Sequence, residues 1–186
     1  MKNPTMMMKQ IEAFRISLSD DEVVSSQMFL TEANKSEIFD DDERWGLACE
    51  HAVAMALKTG WAQEYVERLA KLRDKPSELE KVACAYMQEQ VFGAAIALKL
   101  LGINFLDMPL LAEAVSFDGR TRHGESLDFG LIRFLVWGGA DINRRHVGGM
   151  TALHLLAATK RKPYVCVRSS SSMMATKDPV LRSCST

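Results

Sequence analysis

The sequence predicts an all-α fold, an α-solenoid in which helical hairpins stack one upon the next with short turns between them. Three observations predict it. Apolar residues recur at helical spacing along most of the chain, with no sustained alternation of the kind that marks strands. Helix-start residues and helix-ending glycines punctuate these stretches in pairs. The 186 residues, 47% hydrophobic and 25% charged, suffice to bury a core as one domain or as a one-dimensional array.

Taken in order, residues 1–40 form a partly helical N-terminal extension, in which Ser19 and Glu22 of "SDDEVVSSQMFLTEA" have capping-box spacing and Met6, Met7 and Met8 belong to a mobile start. In "FDDDERWGLACEHAVAMALKTG", Asp40 caps and Glu43 closes the box. Trp45, Ala48, Ala52 and Met55 share one face, and Gly60 suits the C-terminal stop. "WAQEYVERLAKLRDK" follows with Trp61, Tyr65, Leu69 and Leu72 on a stripe and ends before Pro76. Residues 41–76 therefore read as a divergent helical hairpin.

The same grammar recurs in "PSELEKVACAYMQEQ", where Ser77 and Glu80 make a box and Leu79, Val82, Ala83 and Tyr86 line one side. Its partner, "VFGAAIALKLLG", buries Val91, Ala94, Ala95, Leu98 and Leu101 and places Gly102 at a left-handed C-cap. A third hairpin pairs "MPLLAEAV" with "LDFGLIRFLVWGG" across the polar interruption "SFDGRTRHGES". A fourth opens with "TALHLLAAT", and "KPYVCV" is positioned to begin its second helix.

Charge and cysteine content exclude several classes. With 23 basic and 24 acidic residues there is no broad positive field to neutralise phosphates, so nucleic acid is not an expected partner. Cys49, Cys84, Cys166 and Cys184 are scattered without a C-x-x-C pair, and "MKNPTMMMKQIEAF" lacks the apolar core of a signal peptide, which points to a reducing, cytoplasmic setting. The most apolar region is interrupted by Lys99, Asp107 and Glu113. It falls short of the roughly 20 apolar residues that a membrane span needs.

The segment "GGADINRRHVGGMTALHLLA", Gly138 to Ala157, carries the most specific signal. Gly139 can end a helix with a positive backbone angle, Asp141 and Asn143 can bond nearby amides, Gly149 punctuates the turn, and Thr151 can cap the helix that Leu153 and His154 enter. In its Gly-Ala-Asp-x-Asn turn and its Thr-x-Leu-His-x-x-Ala helix start, the segment resembles the ankyrin repeat. Leu131, Ile132, Phe134, Leu135 and Val136 fall on the apolar positions of that repeat's second helix, and Ala152 stands where the family usually has Pro. The likeness covers about Leu127 to Thr159. Thirty-seven residues upstream of Gly139, "LKLLGINF" repeats the helix-end logic at Gly102 without the Thr and His.

The resemblance implies an ankyrin-like array over residues 77–168 with short β-turn fingers, in which His154 ties the Thr151 cap to neighbouring backbone. It also implies a module that binds proteins through finger tips and the concave side of the first helices. Arg144, Arg145, His146, Val147 and Met150 occupy the tip, and two adjacent arginines beside a histidine suit an acidic partner segment. After "TALHLLAATKRKPYVCV" the pattern breaks into "RSSSSMMATKDPVLRSCST", so residues 169–186 read as a disordered tail and the array as uncapped, with self-association through that end as a second kind of partner.

No cofactor, metal or catalytic residue is expected. Cys49 and His51 point apart on one helix, which favours a buried thiol and a surface imidazole over a nucleophile with its base. "DDDE" at Asp40 to Glu43 lacks the pattern of a calcium loop, and His123 in "GRTRHGES" belongs to a surface insertion. Asn34 begins a glycosylation triplet that has meaning only in a secreted chain. The function that fits best is a noncatalytic adaptor, inhibitor or effector. An enzyme or regulatory fragment, with a helical N-terminal half and an ankyrin-like recruiting region, is the alternative.

Overall fold

The computed structural model describes residues 4–18, 24–116, 127–146 and 148–158. These residues are mostly helical and contain no strand. The α-helices are α1 (Pro4–Ser17), α2 (Ser26–Lys35), α3 (Asp42–Thr59), α4 (Gln63–Ala70), α5 (Pro76–Gln88), α6 (Phe92–Leu100), α7 (Leu110–Val115), α8 (Phe129–Trp137) and α9 (Ala152–Ala158), with one 3-10 turn at Glu37–Phe39. No helix among the described residues is long and apolar enough to cross a membrane.

From α4 onward the helices form two rows. In one, α5 packs on α7 and α7 on α9; in the other, α4 packs on α6 and α6 on α8. Successive members of a row are therefore two elements apart in the chain, which is the consequence of hairpins stacking in one direction. α6 lies inside the array with α4, α5 and α8 around it, and α3 crosses over it. Every residue from Phe92 to Leu98 is buried, so a face expected to be one-sided is apolar all round.

Residues 1–76 depart from the expected organisation. α3 does not fold back on α4 as a hairpin; it pairs with α2 and lies across α6 and α8, while α1 packs on α3. The stack begins with α4, and α1 to α3 make a separate layer over the second row. The seam is tied by long-range polar contacts. The Arg133 guanidinium of α8 sits 4.3 Å from the Trp45 ring of α3 and donates to the Phe39 carbonyl at 2.8 Å. Within the layer, Ser26 Oγ of α2 donates to the Ala52 carbonyl of α3 at 2.7 Å.

The helix starts also differ in detail. Asp41, not Asp40, caps α3, its carboxylate accepting from the Arg44 amide at 2.8 Å. Asp40 is instead the C-cap of the preceding 3-10 turn, its amide donating to the Glu37 carbonyl. α5 begins at Pro76, which needs no amide partner at a first helical position, so Ser77 lies inside the first turn and is not the cap. Ser25 caps α2 through the Met28 amide. Ser19 and Glu22 lie outside the described residues. The methionine-rich start is helical: Met7 and Ile11 of α1 are buried, while Met6 and Met8 remain exposed.

Candidate functional site

The candidate site is built from two turns that leave the stack on the same side. Each begins with one backbone device. At the end of α6, the amides of Leu101, Gly102 and Ile103 donate to Ala97, Lys99 and Leu98 at 3.0 Å each. Thirty-seven residues later, Gly138, Gly139 and Ala140 donate to Phe134, Val136 and Leu135 at 2.8, 3.1 and 3.0 Å. Gly102 and Gly139 have φ of 67° and 96°, the left-handed conformation that this closure requires and that a side chain would strain. The α5 end closes in the same way through Glu89, Gln90 and Val91, with Gln90 held at φ 57°.

The next residues also correspond. Asn104 accepts from the Leu106 amide at 3.1 Å, and Asp141, its counterpart at the same spacing, accepts from the Asn143 amide at 2.8 Å. Each carboxamide or carboxylate thus replaces a backbone acceptor and sets the bend. The turns then diverge. The first buries Phe105 and enters α7 directly; the second extends, with an antiparallel bridge between Arg145 and Thr151 and the His146 amide donating to the Met150 carbonyl at 3.0 Å. Gly149, at φ 75°, donates back to the His146 carbonyl at 2.8 Å and closes the finger.

Thr151 then precedes α9, where its hydroxyl shares a 2.7 Å hydrogen bond with His154 Nδ1. His154 and Leu153 are both exposed, so the imidazole fixes the cap from outside. His146 is half-buried, and its Nδ1 accepts from the Gly148 amide at 2.8 Å. Val147 lies outside the described residues.

The two turns are joined. Arg144 donates through Nη2 to the Asp107 carbonyl at 2.9 Å, so the second turn is braced on the first. Arg144 therefore carries a structural contact in addition to its exposed charge, and His146 shapes the finger from within. Exposed residues of the two turns include Leu106 and Asp107 on the first and Ile142, Asn143, Arg145 and Met150 on the second. Leu106 and Ile142 escaped the sequence reading, because aligning "GINFLD" on "GADINR" at the period of the helix ends sets Ile142 opposite the buried Phe105 and Leu106 opposite Asn143. No protein-family model, no curated protein and no solved structure matches the chain.

The row of α5, α7 and α9 offers less surface at α7 than the resemblance implies. All six residues of α7 are buried, Glu113 included, and the Glu113 carboxylate accepts from Gln88 Nε2 at 2.6 Å. α7 therefore presents no exposed side chain of its own. The expected second helix at "KPYVCV", the tail, and His123 lie outside the described residues.

Elsewhere, titratable groups are placed for structure. Burial drives the Cys49 thiol far above its ordinary range, and burial with the Glu113 and Glu80 charges pushes Cys84 up to about 12. Both stay neutral thiols near pH 7 and are poor nucleophiles. His51 is not a surface residue: its ring lies 5.4 Å from Phe29, and its Nε2 is 3.6 Å from Glu12, too long for a hydrogen bond. Among the described residues no cluster of His, Cys, Asp or Glu is set to hold a metal. An open groove of about 340 Å³ beside α1 is lined by Gln10, Ala13, Phe14, Ser17, Ile38 and Arg44, which bring one charge and no acid-base pair to it.

Proposed function

We propose that this chain is a noncatalytic protein-interaction module of the ankyrin-repeat kind, binding an acidic segment of another protein along the edge made by its two turns. The observation that carries this reading is the recurrence, thirty-seven residues apart, of the same three backbone hydrogen bonds and the same side-chain-closed bend. Two copies of one turn, braced by the Arg144 to Asp107 contact, carry the exposed Leu106, Ile142, Arg145 and Met150. A rigid edge loses little conformational entropy on binding, and apolar tips beside an arginine suit a partner with carboxylates flanking a hydrophobic anchor. The buried α7 directs the reading to the fingers and away from the concave helices. Localisation in the cytoplasm is part of the same proposal.

The test is affinity capture from native extract with the full chain and with a variant carrying Ile142→Asp and Arg145→Glu. Both residues are exposed, so the fold should be unchanged by circular dichroism. A protein retained by the wild type and reduced about tenfold or more by the variant is the expected result. Capture of the same proteins at the same yield by both chains overturns the finger assignment.

A further inference from the structure

We propose that Gln90 is a positioning residue: its side chain, carried on a strained backbone, seats the start of α8 against the end of α7 and so sets the surface on which the N-terminal layer docks. The inference stands on backbone geometry and hydrogen bonds and is independent of the finger reading.

The strain identifies the residue. α5, α6 and α8 end in the same backbone closure, and where α6 and α8 place Gly102 and Gly139, α5 places Gln90 at φ 57°. A side chain disfavours that left-handed conformation, so a glutamine persists there only where other contacts hold it.

Its carboxamide makes those contacts. Nε2 donates to the Ala114 carbonyl of α7 and, at 3.2 Å, to the Met87 carbonyl of its own helix, while Oε1 accepts from the Asp128 amide at 3.1 Å. Two carbonyls on one side and an N–H on the other fix which way the group faces. The partners outside α5 are groups that a helix leaves without a bond of its own. Ala114 lies in the last turn of α7 and is fully buried, and Asp128 is the N-cap of α8. One side chain therefore satisfies the end of one helix and the start of the next, and ties both to the junction between α5 and α6.

The layer rests on the residue so placed. Asp128 Oδ1 accepts from the Gly130 and Leu131 amides at 2.8 and 3.2 Å, and Thr31 of α2 donates through Oγ1 to Oδ2 at 3.5 Å. The Leu30 carbonyl of α2 lies 3.3 Å from the point where a side chain on Gly130 would begin, so the α2 backbone sits directly against the first turn of α8. Gln90 holds the Asp128 backbone, Asp128 caps α8, and α2 docks on that cap.

Urea unfolding of the full chain tests the proposal by the sign of one substitution. If Gln90 served only to end α5, Gln90→Gly would relieve the backbone and raise the folding equilibrium constant by up to about fivefold. A positioning role requires the opposite, a fall of about tenfold or more. Gln90→Asn should also lower it, because asparagine tolerates the left-handed conformation but its carboxamide is one methylene too short. Hydrogen exchange in the Gln90→Gly variant should quicken at the first turn of α8 and in α2. In the wild-type chain the Asp128 amide, which at an N-cap ordinarily exchanges freely, should be protected, and this reading needs no variant to fold. An equilibrium constant that rises or stays level in Gln90→Gly overturns the proposal, as does a change of exchange confined to α5 or rapid exchange of the wild-type Asp128 amide.

Discussion

The layer α1 to α3 and the stack α4 to α9 share one hydrophobic core but contribute to it by different physics. In the stack, each hairpin ends in a local hydrogen-bond pattern and buries a face against a helix two elements away. In the layer, the core is a meeting of three elements: the Phe14, Phe29 and Phe39 rings lie edge-to-face at centroid distances of 5.0 to 6.3 Å. Order in the stack propagates from neighbour to neighbour. Order in the layer depends on contacts that must form together and on the α8 surface beneath them.

That difference is tested most severely at Phe39, which is fully buried and whose carbonyl receives Arg133. Phe39→Ala should cost about 3–5 kcal/mol of stability, read from urea unfolding. Hydrogen exchange on the same variant should rise in α1 to α3 and leave the α5 to α7 amides protected. Equal loss across both regions would mean that layer and stack are one cooperative unit.

A smaller effect separates two kinds of glycine requirement inside the stack. A methyl group at Gly138 would overlap the Phe105 ring of the neighbouring turn, whereas one at Gly139 would meet nothing within 4 Å but would sit at φ 96°. Gly138→Ala should cost about 1–3 kcal/mol through overpacking. Gly139→Ala should cost about 1–2 kcal/mol through backbone strain. Adding Phe105→Leu should recover part of the first loss relative to Phe105→Leu alone and none of the second; recovery of both would remove the distinction between steric and backbone causes.

The same contrast explains what could be read from the amino acids. Gly102 and Gly139, the Asp141 bend, the Thr151 cap and the apolar faces of α3, α5 and α8 were legible because each is encoded within a few residues. The position of α3 was not. Its helix is plain in the sequence, but its choice of α2, α6 and α8 over α4 depends on Trp45 meeting Arg133 and Ser26 meeting Ala52, pairs separated by 88 and 26 residues. The site follows the same rule. The finger was visible as a motif, whereas the second use of Arg144 depends on Asp107 in the preceding turn, where it is the backbone carbonyl and not the side chain that accepts.

The gentlest probe of the layer is a proton. Burial lowers the His51 pKa, the Glu12 carboxylate opposes that shift and the Arg15 charge reinforces it, leaving the group below its ordinary 6.5. Because the unfolded chain takes up this proton first, stability is highest above about pH 6.5 and declines as the pH falls towards the lower folded value. Glu12, held below its ordinary 4.5 chiefly by its hydrogen bond from Arg15, adds a second loss at more acid pH. His51→Gln should flatten the first decline in a pH series of urea midpoints and preserve the second. α1 contacts the rest of the protein chiefly through α3, so the first decline should also appear as faster amide exchange in α1 while α5 to α7 stay protected. An unchanged slope in the His51→Gln variant would place the titrating group elsewhere, and acid-induced exchange spread evenly through the stack would show that the layer does not respond on its own.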